Sequence, residues 1–296
     1  MKNLLIPALM LATITVSAQD LPAPSPKGKV EQVVGLTNIS VEYSRPSMKG
    51  RKIFGDLVPF DKVWRTGANL NTMISFDGPV KIEGQTVEAG TYSIYTIPGA
   101  ETWQVILNKN IEGHGEGDRK EEEDVLKVKV PAGRSETFET LTILFDNVKN
   151  DKAEMQLRWE NTLVKVNIEA DATEKAMANI KEALAKPDAG FGAYHGAARF
   201  LLERDMDAKL ALEYAKKSVS LEKKFWNQHT LALALAKNGQ HKEAIAAAEE
   251  SMKLAEEAKA DNYVKMNKEK IAEWGRAGSA PAAPNTGAKP AQRPAR

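Results

Sequence analysis

Hydrophobic and polar positions alternate with two different periods along this chain, and the change of period falls near residue 171. Between Lys29 and Ile168 the apolar runs are short and recur at every second residue. The clearest is Thr37–Tyr43, where Ile39, Val41 and Tyr43 fall on one face and Asn38, Ser40 and Glu42 on the other. Such alternation predicts half-buried strands. Val30–Val33, Met73–Phe76, Val80–Ile82, Thr86–Val87, Gly90–Ile97, Thr102–Leu107, Val125–Val130, Phe138–Phe145, Ala153–Trp159 and Leu163–Ile168 also read as extended pieces between turn residues. In Gly90–Ile97 the pattern puts Tyr92, Ile94 and Thr96 on one side. Glu83-Gly84 predicts a hairpin turn, because glycine accepts a positive φ without a Cβ clash. About ten short strands with no helix-length segment between them describe an antiparallel β-sandwich or barrel-like domain. A parallel sheet is disfavoured, since its crossovers need a dozen or more residues.

After Asp171 the period lengthens. Ala, Leu, Glu and Lys dominate, and Ala176, Ile180 and Leu184 form an i, i+4 stripe that ends at Lys186-Pro187-Asp188-Ala189-Gly190. Phe191–Glu203, Ala208–Ser220, Trp226–Asn238, His241–Ala258 and Tyr263–Trp274 are predicted as five further helices with short breaks. An internal repeat runs through them. At an offset of 33 residues Ala211 pairs with Ala244, Leu212 with Ile245, Ala215 with Ala248, Ser218 with Ser251 and Leu221 with Leu254. In the second copy Leu231, Ala232, Leu235, Gly239, Ala244 and Ala248 resemble the packing positions of the tetratricopeptide repeat, and at that offset the first copy has Ala198, Arg199 and Leu202. The repeat's usual proline after its second helix is absent from both copies, so an unrelated helical bundle remains the other reading. Two repeats fall short of the three or more that stand alone, which predicts packing against the sheet domain or a partner. Phe200, Tyr214, Leu231 and Leu235 are expected mostly in the core, with exposed neighbours doing any binding.

Charge and composition narrow the chemistry. Forty-one Lys and Arg against forty Asp and Glu, a net charge of +1, argue against a partner held by its phosphate backbone, so no nucleic acid is expected. The absence of cysteine excludes disulfides, thiolate catalysis, cysteine zinc sites and a lipidated N-terminal cysteine. The first eighteen residues, with Lys2, an apolar run from Leu4 to Val16 and Val16-Ser17-Ala18 before Gln19, read as a signal peptide too short to span a membrane. The expected product is therefore exported, periplasmic or extracellular, soluble, not a lipoprotein and without a transmembrane segment. Residues Gly275–Arg296 hold fourteen Ala, Pro or Gly and four basic groups with no acid, a composition that cannot build a core.

The densest run of polar and aromatic residues is Tyr43-Ser44-Arg45-Pro46, Lys49-Gly50-Arg51 and Pro59 to Thr72. Trp64, Arg65, Thr66 and Asn69 offer a ring surface, a forked guanidinium, a hydroxyl and an amide, which together suit a carboxylate, a phosphate or a sugar, with Arg45, Arg51, Asp61 and His114 as possible additions. The competing reading is structural: Arg65 and Asn69 satisfy backbone groups while Trp64 plugs the sandwich. His114, Glu116 and Asp118 alternate in a glycine-rich loop, a spacing open to a metal but better suited to a mobile hairpin tip. No phosphate loop or serine-nucleophile setting is present. The phrases "YSRPSMKGRKIFGDLVPFDKVWRTGANLNT", "AGTYSIYTIPG" and "TWQVILNK" resemble the exported bacterial family catalogued as domain of unknown function 2911, common in Bacteroidetes, over about residues 27–168. That resemblance implies export and a β-rich fold, and no reaction. The Glu112–Asp118 loop departs from the family's usual Trp-Gly element.

These readings combine into an α+β, multi-domain chain: signal peptide 1–18, β-rich domain 19–170, helical tetratricopeptide-like segment 171–274 and Ala/Pro-rich tail 275–296. The expected function is non-enzymatic binding or scaffolding in the envelope, with a protein or peptide partner on the helical segment, no cofactor, no metal and no catalytic residue. The alternative is a small-ligand or hydrolytic site in the β-rich domain, with Arg45, Arg51, Trp64, Arg65, Thr66 and Asn69 as ligand-binding candidates.

Overall fold

The computed structural model describes residues 22–277, which fall into two compact units divided between Thr173 and Glu174. The expected signal peptide and the tail beyond Ala277 lie outside the described residues. The first unit holds nine strands: β1 (Lys27–Val34), β2 (Thr37–Ser44), β3 (Thr72–Phe76), β4 (Val80–Ile82), β5 (Gln85–Val87), β6 (Gly90–Ile97), β7 (Thr102–Asn108), β8 (Asp124–Lys149) and β9 (Lys152–Glu169). They form one antiparallel sheet in the order β1-β2-β3-β6-β7-β8-β9-β4-β5.

Two pairs of expected strands are fused. β8 pairs with β7 as far as Pro131 and with β9 from Ala132 onward. Proline supplies no N–H, so the ladder with β7 ends where it stands. Between Arg134 and Thr142 the β8 chain advances eight residues while β9 advances four, from Thr162 to Arg158. The surplus is taken up in bulges that bend the strand and fold the sheet onto itself. The chain leaving β2 then bridges the fold from the other side: Leu141 N donates to Pro46 O at 2.9 Å and Met48 N to Glu139 O at 2.7 Å. Tyr43 Oη accepts from Ile143 N at 2.8 Å in the same corner.

The enclosed core is apolar, with Ile39, Val41, Ile74, Ile94, Leu107, Leu141 and Ile168 among its buried members. At its centre Trp64 stacks on Trp159 at 5.9 Å and meets Trp103 and Phe54 edge-on at 6.2 and 6.0 Å. The opposite face of β6 and β7 carries Ser93, Tyr95, Ile106 and Asn108, all fully buried although that face is turned away from the core. The segment 109–123 covers them.

The second unit is six helices: α1 (Thr173–Leu184), α2 (Phe191–Glu203), α3 (Ala208–Leu221), α4 (Phe225–Lys237), α5 (His241–Glu257) and α6 (Asp261–Ala277). From α2 onward each helix packs on the next, and α4 also touches α2 and α6. The expected tail boundary shifts, because Gly275, Arg276 and Ala277 continue α6. Ser218 and Ser251 are both fully buried and donate to Phe191 O at 2.9 Å and Phe225 O at 2.6 Å, so the repeat is physical. Its offset is 33 only in α3 and α5. In α2 and α4 the buried equivalents are Ala198 with Ala232 and Leu201 with Leu235, an offset of 34, because the break before α5 is one residue shorter than the break before α3. Arg199, aligned with a packing position by the single offset, is therefore exposed and paired with Glu203. Leu221 is likewise exposed, at 46%.

Candidate functional site

The stretch 61–71 leaves the sheet and rejoins it. Trp64 exchanges both backbone hydrogen bonds with Thr96, at 2.8 and 2.9 Å, and Thr72 resumes pairing at Ile94. Within this excursion Asp61, Thr66 and Asn69 all hold positive φ, at 59°, 57° and 61°, which is costly above all for β-branched Thr66. The strain is held in place from several sides. Thr66 Oγ1 meets Thr96 Oγ1 at 3.0 Å, and Thr72 Oγ1 donates to Thr66 O at 2.8 Å. A Cβ on Gly67 would lie 2.9 Å from Thr72 Oγ1, so only glycine fits there.

The structure places the candidate residues at different locations. Trp64 is buried in the core among Trp159, Trp103 and Phe54, and its Nε1 donates to Gly67 O at 3.0 Å, so it offers no stacking platform. Thr66 is buried beside it. Arg45 ties β2 to β8 through Leu141 O and Thr142 Oγ1, at 3.2 and 3.0 Å. Arg51 caps its own turn on Met48 O and Ser47 O, at 2.9 and 2.8 Å. Asn69 donates to Ser25 O at 3.2 Å and Ser44 Oγ at 3.3 Å. Arg65 Nη1 donates to His114 O at 2.7 Å, and Glu116 accepts from Arg65 N at 3.1 Å.

The 113–118 loop, expected as a hairpin tip, is tied to the rest of the β unit by several hydrogen bonds. Besides the Arg65 bonds, His114 N donates to Asp118 Oδ2 at 2.7 Å and Asn110 Nδ2 to Asp118 O at 3.0 Å. A Cβ on Gly113 would stand 2.6 Å from Asn71 Nδ2, which explains glycine at that position. The side chains do not converge on a metal, and no group of three His, Cys, Asp or Glu among the described residues is placed to hold one. Behind the loop, Arg119 makes a bidentate pair with Asp124, both side chains being over nine-tenths buried. Burial opposes ionisation of Asp124, but hydrogen bonds from Arg119, Asn108 and Lys127 outweigh it and hold the carboxyl below its ordinary 3.8.

Sequence reading missed the buried polar row beneath this loop. Asn71 Nδ2 donates to Tyr95 Oη at 2.8 Å and Ser93 Oγ at 3.2 Å, and Ser93 Oγ donates to Asn110 O at 2.7 Å. The signal was the alternation in β6, which puts Ser93 and Tyr95 opposite Ile94.

The helical unit carries a groove of about 570 Å³ whose lining includes Gly192, His195, Gly196, Arg199, Phe200, Trp226 and Tyr263. The α2 members follow i, i+3, i+4, i+7 and i+8, one continuous helix face. Trp226 comes from the start of α4 and Tyr263 from the start of α6, so the groove crosses alternate helices. Phe225 meets both rings edge-on at 4.8 Å and fixes their angle. Behind Tyr263, His229 Nδ1 lies 2.7 Å from Asn267 Oδ1. Asn267 Nδ2 donates to Tyr263 O at 2.8 Å, which fixes the amide and makes His229 Nδ1 the donor. Phe200, expected mostly in the core, lines the groove, whereas Leu235 is buried as expected.

No helix among the described residues is long and apolar enough to cross a membrane. No curated protein matches the chain, and no solved structure does. Residues 25–168 match the family model described as "Protein of unknown function (DUF2911)", so the β unit is a domain of that family and the helical unit lies outside the match.

Proposed function

We propose that this chain is an exported, non-enzymatic binding protein whose helical unit holds an extended peptide or a partner's segment in the groove across α2, α4 and α6. The observation that carries the reading is the pair Gly192 and Gly196. Gly192 lies in the first turn of α2 and Gly196 in its interior, where glycine costs roughly 0.5–1 kcal/mol against alanine, and neither has a neighbour within 4 Å of where a Cβ would stand. Nothing among the described residues requires glycine there, whereas a ligand backbone lying against α2 would. Trp226 and Tyr263 supply the rigid aromatic anchors typical of binding hot spots, and a cavity of about 570 Å³ lies within the ~300–1,000 Å³ range of ligand sites. The tetratricopeptide-like repeat agrees with this use, since stacked helix pairs present extended binding surfaces. Export rests on residues 1–18, and a mature N-terminus at Gln19, read by mass spectrometry of the periplasmic or secreted fraction, tests it.

Panning a displayed peptide library on the mature chain tests the groove. Selected peptides should lose at least about ten-fold in affinity to Trp226→Ala. Equal affinity for that variant would place their site elsewhere.

A further inference from the structure

A second cavity, of about 270 Å³, lies on the outer face of the β unit. The strand register explains its floor. Lys27 pairs with Ser44, Lys29 with Glu42 and Glu42 with Met73, so these residues share the face that carries Ser93 and Tyr95. The 109–123 segment covers the Tyr95 end of that face and packs against Asn71 at Gly113.

Asn71 is 4% exposed and lines this cavity, yet its Oδ1 is buried without a hydrogen-bond partner. Turning the amide over does not remove the vacancy. Its oxygen would then accept from Tyr95 Oη, and its nitrogen would be the unpaired atom. The branch facing Gly113 is sealed, because not even a Cβ fits between them. Ser44, also 4% exposed and on the cavity wall, accepts from Asn69 at 3.3 Å and has its own hydroxyl proton to give. A buried polar atom left unpaired costs about 1–3 kcal/mol, so the pair Asn71 and Ser44 is poised for a ligand that accepts one hydrogen bond and donates another.

The charges say which kind. The buried lining is neutral. Lys27, Lys29 and Glu42 stand at the rim, all exposed to solvent, and Lys29 is engaged with Glu31 at 2.6 Å and with Glu42 at 3.7 Å. An ionic ligand would meet no desolvated countercharge. Leu70, 41% exposed, adds an apolar lip. We infer that this cavity binds one neutral sugar residue, with a ring hydroxyl bridging Ser44 and Asn71 and a C–H face against Leu70. It moves the β-unit site away from Trp64 and Arg65, and it is independent of the helical groove.

Titrating the isotope-labelled mature chain with glucose, galactose and mannose, each to roughly 50 mM, while following the Asn71 side-chain amide by NMR tests the assignment. At least one hexose should give a saturable shift, weakened about ten-fold or more by Ser44→Ala. Leu70→Glu, which alters only the exposed lip, should weaken it too and keeps the test valid if Ser44→Ala fails to fold. A disaccharide of the same hexose that binds tighter marks a glycan end as the source, and one that binds no tighter marks a free sugar. No saturable shift from any hexose, tighter binding of glucuronate, or binding unchanged in Leu70→Glu would overturn it.

Discussion

At the scale of single residues, aromatic and charged side chains that look alike in sequence do opposite things. Trp64 stands in a polar run that suggests a ligand platform, yet its burial among Trp159, Trp103 and Phe54 makes it packing. Trp64→Ala should cost about 3–5 kcal/mol, read as a lowered denaturant midpoint. Asp124 and Arg119 form a buried pair, so Asp124→Asn leaves Arg119 with only the exposed Glu121 as countercharge and should destabilise the β unit by up to roughly 3–5 kcal/mol. His229 sets a pH dependence. Burial, with a smaller push from Lys270, holds its imidazole below its ordinary 6.5 against the Asn267 hydrogen bond. The unfolded chain therefore binds more protons just below 6.5. His229 contributes its full stability above that pH and loses it as pH falls through the lower folded value, at up to about 1.4 kcal/mol per pH unit. His195 is shifted the same way by burial and by Arg199, so the urea midpoint should fall as the pH drops below 6.5, and His229→Gln should remove part of that fall.

At the scale of elements, local pattern and tertiary geometry divide the work. The helices were legible almost to the residue, since their stripes and breaks are local: the run expected at Phe191–Glu203 is α2 itself. The strands were legible as pieces. Val125–Val130 and Phe138–Phe145 are one strand because the residues between them, polar on a bulged and bent segment, still pair across to β9, and no single-chain alternation records that. The buried polar face of β6 escaped for a related reason. Its cover is the loop 109–123, whose fold depends on bonds to Arg65 and Ser93, far away in sequence. The repeat was legible in the second helix of each pair and slipped by one residue in the first, where the shorter break before α5 shifts the register. Gly196→Ala tests an element-level claim: with open space at its Cβ, it should stabilise α2 by roughly 0.5–1 kcal/mol, seen as a higher melting temperature.

At the scale of the whole molecule, two units carry two kinds of surface. The β unit uses its polar run to close a sandwich and leaves a small cavity between β1, β2 and β3 beside the unpaired Asn71 Oδ1. The helical unit leaves an aromatic groove with two glycines on its wall, and nothing among the described residues offsets what the interior Gly196 costs α2. The proposed binding across α2, α4 and α6 would account for that cost.

The most direct test fills the groove without touching the core. Gly196→Leu points a side chain into open space and adds a better helix former, so the variant should melt no lower than the parent. If the groove binds, the mature Gly196→Leu chain will lose at least about ten-fold in affinity for peptides selected on the parent. Undiminished binding by a fully folded Gly196→Leu chain would contradict the account.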